Sequence, residues 1–101
     1  MRMMVFFDLP TETLKDRREY SRFRKYLIKS GFMMVQESVY CKIALNQLAV
    51  QAMENGIRKH KPERGLIQLL TVTEKQYSKM VFILGSYEGD IISSDDRFIE
   101  L

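Results

Sequence analysis

An apolar run that stops on an acid constrains this chain more than any other feature: Met3-Met4-Val5-Phe6-Phe7, then Asp8-Leu9-Pro10. A half-buried strand alternates apolar and polar residues, so an unbroken run reads as a strand covered on both faces, inside a sheet. Pro10 prevents the ladder from simply continuing. Asp8 thus falls at the end of a central strand. A carboxylate there either closes a turn by accepting backbone N–H bonds or is available to metal and phosphate.

The elements that follow define the fold class. Thr11 and Thr13 offer N-caps, and Thr13 with Asp16 three residues on has the form of a capping box. The first helix then runs to about Ser30, where Gly31 ends it. Residues 32–35 form a short strand, Gln36-Glu37-Ser38 a turn or bulge, and residues 39–45 a strand rich in β-branched and aromatic side chains. Asn46 caps a second helix, with Leu45, Ala49, Ala52, Met53, Gly56 and Ile57 on one apolar face. Arg58, Lys59, His60 and Lys61 suit its negative end, and Pro62 follows. Gly65 opens a strand over 66–72, residues 73–79 form a polar connection with room for one helical turn, and residues 80–84 read as a fifth strand closed by Gly85. The order is βαββαβ plus one strand: an α+β, ferredoxin-like sandwich in which the first strand lies inside the sheet. Both helices cover one face. A homodimer packed sheet to sheet is the natural cover for the other.

Charge points to the partner. Residues 1–85, the domain, sum to +7, and residues 86–101, an acidic tail, sum to −4. A basic body suits a polyanion; an acidic tail suits a basic partner or its own body. On the first helix, Lys15, Arg18, Arg22, Lys25 and Lys29 fall within a sector of about 80°, while Tyr20, Phe23 and Leu27 fall opposite, toward the sheet. Such a stripe can neutralise successive backbone phosphates, and without an aromatic platform it favours duplex DNA over base-specific reading. A single cysteine, Cys41, excludes an internal disulfide and fits a reduced, cytoplasmic setting. No apolar run is long enough to span a membrane, and the N-terminus lacks the pattern of a signal peptide.

Hydrolytic chemistry has one candidate. Cys41 and His60 have no partners in sequence that would make a nucleophile pair or a transition-metal site. One Asp8 is a poor metal site, but a two-fold dimer brings two, and two carboxylates with several waters can hold Mg²⁺.

Together these residues resemble the CRISPR-associated protein 2 family, small partners of the CRISPR integrase in spacer acquisition. The resemblance covers residues 1 to about 85. It is carried by the first strand ending in Asp8, by Arg17-Arg18, Phe23, Lys25 and Leu27, by Gly31-Phe32-Met33-Met34-Val35-Gln36-Glu37-Ser38-Val39-Tyr40, and by Leu70-Thr71-Val72-Thr73-Glu74-Lys75-Gln76-Tyr77. It implies a homodimer with exchanged last strands and a Mg²⁺ site from both Asp8 residues. It also implies metal-dependent endonuclease activity on single-stranded RNA or double-stranded DNA, and a bridging role between integrase dimers. Arg17 or Arg18 matches a basic helix position. Where many members have Tyr before the acid, this chain has Phe7. Two readings compete with a nuclease: a non-catalytic DNA-binding scaffold, and a ferredoxin-like regulatory domain for a small ligand, which would not need the stripe.

Overall fold

The structure, a computed structural model, describes residues 1–86. The acidic tail lies outside the described residues apart from its first position. Four antiparallel strands, β1 (Arg2–Asp8), β2 (Met33–Gln36), β3 (Val39–Ile43) and β4 (Leu66–Val72), pair in the order β2-β3-β1-β4. The helices are α1 (Leu14–Lys29), α2 (Gln47–His60) and a short α3 (Glu74–Ser78). This is the ferredoxin-like order, with β1 flanked by β3 and β4 as its apolar run requires.

Local signals set the helix ends. The Thr13 hydroxyl accepts the Asp16 N–H at 3.0 Å and the Asp16 carboxylate accepts the Thr13 N–H at 3.2 Å, a complete capping box. Asn46 accepts the Ala49 N–H at 2.8 Å at the start of α2. Gly31, at φ +94°, turns the chain out of α1 in a conformation that side chains resist.

Strand alternation divides β1 between two faces. Met3, Val5 and Phe7 join Phe23 and Leu27 of α1, Val50 and Ile57 of α2, and Tyr40 of β3 in one core. Phe7 is its aromatic hub, edge-on to Phe23 at 5.3 Å and stacked on Tyr40 at 5.7 Å. Arg2, Met4, Phe6 and Asp8 take the other face. Phe7 and Asp8 therefore point away from each other, and the Phe-for-Tyr difference changes the core rather than the surroundings of the acid.

Two expectations need correction, the core face of α2 and the strand over 80–84, while the helical turn expected within 73–79 is present as α3. The core face of α2 uses Val50, Met53, Ile57 and Ala49, whereas Leu45 is 91% exposed and Ala52 is also exposed. Strand β3 stops at Ile43, so Leu45 precedes the cap instead of lying on the helix, and the apolar face is rotated accordingly. The polar connection at 73–79 is a capped helix that packs on the second sheet face. Arg2 reaches Glu74 at 2.6 Å and lies 4.0 Å over the Tyr77 ring. Residues 80–84 are not a strand in this chain: they follow α3 as an irregular segment with Ile83 and Leu84 more than nine-tenths exposed. A strand needs a neighbouring backbone to pair with, and none of the described strands provides one for this segment.

Candidate metal and nucleic-acid site

Asp8 is the last residue of β1, opposite Leu66 of β4. It is exposed, and among the described residues no hydrogen bond or ion pair engages its carboxylate. The turn-closing role of a strand-end Asp is thus unused here. The backbone around it is fixed nonetheless. Gly65, at φ +116°, lets β4 approach so closely that a Cβ there would lie 2.6 Å from the Leu9 side chain and 3.0 Å from the Asp8 carbonyl oxygen.

The face that carries Asp8 also carries an apolar groove of about 350 Å³, lined by Met4, Phe6, Val39, Leu70 and Val72 of the sheet and by Tyr77 and Met80. Leu66 and Leu70 remain about half exposed. One end of this face is closed by α3 through Arg2, which also donates to the Cys41 Sγ at 3.5 Å. The hydrogen bond to Glu74 keeps the Arg2 guanidinium strongly protonated, and the same bond holds the Glu74 carboxyl below its usual value.

Opposite this face, α1 presents its cations. Arg18, Arg22, Lys25 and Lys29 are exposed and make no ion pair among the described residues. The other two sequence candidates are engaged. Lys15 pairs with Glu63 at 3.2 Å, an exposed contact of small energetic weight. Arg17 donates to the carbonyls of Thr11 and Glu12 at 3.1 and 3.2 Å and so braces the loop after Asp8.

Two arrangements escaped sequence reading. Asp16 is buried, and Arg64 comes within 3.4 Å of it from the start of β4. Desolvation pushes its carboxyl up, but the Thr13 amide and hydroxyl, with Arg64 and Lys15, outweigh this and leave it lowered. The capping box was legible; its burial by the loop before β4 was not. Second, the Tyr26 and His60 rings stack at 3.9 Å, joining α1 to the end of α2. A Cβ at Gly56 would collide with the Tyr26 hydroxyl, so a larger residue there would have to displace the end of that ring.

Among the described residues no three His, Cys, Asp or Glu side chains gather into a metal site. At the end of β1 one chain offers one unengaged carboxylate, Asp8, which would fit a water-rich Mg²⁺ as half of a donor set. Among the described residues, no helix is long and apolar enough to cross a membrane.

Comparison of the whole sequence with known proteins finds a family and relatives. The family profile for CRISPR associated protein Cas2 matches residues 1–80. The chain belongs to the Cas2 family. The CRISPR-associated endoribonuclease Cas2 of Treponema denticola is 50% identical over 101 residues, covering all of both chains. The proteins of the same name from Streptococcus mutans and Ligilactobacillus salivarius are 45% and 44% identical, covering all of this chain and 93% and 100% of theirs. The match to these Cas2 relatives therefore spans the whole chain, whereas the family profile covers residues 1–80.

Proposed function

We propose that this protein is a homodimeric Cas2 of CRISPR adaptation that hydrolyses phosphodiester bonds at Asp8 and binds double-stranded DNA through α1. The observation that carries the reading is the free Asp8 carboxylate on an apolar sheet face. A second copy packed on that face removes the groove from water and brings two Asp8 residues toward one axis. Residues 80–84, exposed and apolar, add to the partner's sheet edge in this arrangement. Two carboxylates near one axis repel each other, and the pair would hold Mg²⁺, whose charge would relieve that repulsion. When bound, Mg²⁺ supplies charge neutralisation at the phosphodiester and an acidified water. Asp8 itself orients that water, and the strand pairing and Gly65 hold its backbone in place. The relatives are named endoribonucleases, which makes single-stranded RNA the first substrate to assay.

A specific observation favours a second role. Among the described residues α1 offers five exposed cations without a partner, Arg18, Arg22, Arg24, Lys25 and Lys29, against one acid at the end of β1, which suits a DNA-binding scaffold bridging integrase dimers more than a dedicated nuclease. Asp8→Asn separates the two. It should leave fold, dimer and duplex binding intact, and lower Mg²⁺-dependent cleavage of RNA and DNA by at least about 100-fold. Spacer acquisition should survive. Acquisition lost alongside cleavage, with dimer and DNA binding unchanged, would make hydrolysis the cellular role. Cleavage retained by Asp8→Asn would refute the assignment of the site.

A further inference from the structure

The Asp8 carboxylate has no hydrogen bond or ion pair among the described residues to aim it, so its backbone must. That backbone is flanked on both sides by residues at positive φ. On the β4 side stands Gly65, at φ +116°. On the β3 side stands Ser38, at φ +67°, the one non-glycine residue in this region among the described residues. Pairing with β3 ends at Phe6 and Val39, and one position on, the Phe7 N–H donates to the Ser38 carbonyl at 3.1 Å. The next residue, Asp8, is paired with Leu66 of β4 alone. Glu37 and Ser38 form the two-residue loop between Gln36 and Val39. Tight hairpins favour positive φ at the first loop residue or at both. Here only the second has it, a position that in a tight turn calls for glycine or asparagine. A side chain in the left-handed region costs free energy. The Ser38 hydroxyl offsets none of it, since it makes no hydrogen bond among the described residues. What the conformation provides is a carbonyl directed at Phe7. Strain of this kind persists where the surrounding structure enforces it, and it gathers at functional sites.

We propose that Ser38 is a positioning residue for Asp8: its left-handed turn aims a backbone carbonyl at the Phe7 N–H and, with Gly65 on the other side, clamps the end of β1 so that the carboxylate points where a second Asp8 can meet it. Without the clamp, residues 7 and 8 would hang on β4 alone. In a two-fold pair each displacement enters twice, so a small error in one backbone is doubled between the carboxylates. A misplacement of about 1 Å at a reacting group costs on the order of 100-fold in rate. The role belongs to the Ser38 backbone and not to its hydroxyl. The inference rests on the Asp8 reading above and extends it to a residue outside β1.

Two full-length variants with crossed properties test it. Ser38→Gly loses the hydroxyl but accepts the left-handed conformation, whereas Ser38→Thr keeps a hydroxyl on a branched Cβ that resists it. Each is compared with wild type by hydrogen exchange at the Phe7 amide, by Mg²⁺ binding in a calorimeter, and by RNA cleavage across Mg²⁺ concentrations. Ser38→Gly should stay within about threefold of wild type throughout. Ser38→Thr should exchange the Phe7 amide about tenfold faster or more, and should need about tenfold more Mg²⁺ for half-maximal binding and cleavage, with circular dichroism unchanged. A merely destabilised chain would lose cleavage at every Mg²⁺ concentration without moving the half-saturating one. Wild-type Phe7 exchange or wild-type Mg²⁺ dependence in Ser38→Thr would refute the clamp. A loss in Ser38→Gly with retention in Ser38→Thr would overturn the backbone role in favour of the hydroxyl. One measurement needs no substitution: in the wild type the Phe7 N–H should exchange within about tenfold of the Val5 N–H, and exchange at the rate of an open amide would overturn the clamp. Asp8→Asn is the control. If it loses Mg²⁺ binding and cleavage while Ser38→Thr keeps both, the clamp alone is refuted and the Asp8 reading stands. If Asp8→Asn keeps both, the Asp8 reading itself fails.

Discussion

The two faces of the sheet come from the same residues of β1, yet they are finished differently. On the helix side, Met3, Val5 and Phe7 are sealed by α1 and α2 into a core where Val5 and Leu27 have no exposure at all. On the other side, Met4 is buried, while Leu70, two residues before the end of β4, is still 54% exposed and lines an apolar groove. One face is completed within the chain. The other is apolar beyond what the described residues cover, and it holds the free acid. Stability thus resides on the first face, the second carries the acid proposed for hydrolysis, and substitutions should separate them.

The largest effect should come from the helix side. Phe23→Ala removes a fully buried ring from the Phe7 cluster and should cost about 3–5 kcal/mol, by urea or thermal unfolding. For a small domain this is a large fraction of total stability. A loss below about 1 kcal/mol would mean that the two faces do not differ as described.

Leu70→Asp should do the converse. The side chain is half exposed in one chain, so secondary structure should be unchanged by circular dichroism, but sedimentation should show monomer where the wild type shows dimer. If the variant remains dimeric at micromolar concentration, the groove is not the dimer face. Monomeric wild-type protein would refute the proposed assembly itself.

The smallest effect concerns acid. The Asp16 carboxyl is lowered in the folded protein, so its contribution is fully present above the unfolded value of 3.8 and is lost as pH falls below it. Asp16→Asn should lower the melting temperature at pH 7 by a few degrees. The gap to wild type should narrow as pH falls below about 4. Arg64→Ala should reproduce part of the pH 7 loss. A gap that stays constant from pH 7 to 3 would show that Asp16 acts through shape and not charge. Because the box lies at the start of α1, it also links the helix side to the loop that follows Asp8.

How far the sequence could be read tracks how local each interaction is. Thr13 and Asp16, Asn46 and Ala49, and Gly31 act within four residues, and the helix ends follow from them. The stripe from Lys15 to Lys29 is a matter of helical period alone, although the wheel could not show that Glu63 would neutralise its first member. The rotated face of α2 was misread because Leu45 and Ala52 fit the period equally well; which apolar residues go inside depends on where α1 lies. Residues 80–84 have the composition of a strand, but composition does not provide the neighbouring backbone that makes one. Asp8 was legible as a strand-end acid. That it is unengaged, and shares a face with Met4 and Phe6 rather than with Phe7, required the sheet.

By itself the sequence determined the order of elements, the central position of β1, the caps and the basic stripe, because short-range hydrogen bonds and side-chain period encode them. Only the tertiary structure decided the burial of Asp16 against Arg64, the Tyr26–His60 junction, the docking of α3 through Arg2, and which sheet face remains open. Each of these joins residues thirty or more positions apart. Such contacts form where packed helices and paired strands bring distant segments within a few ångströms, and a linear pattern carries no record of that distance.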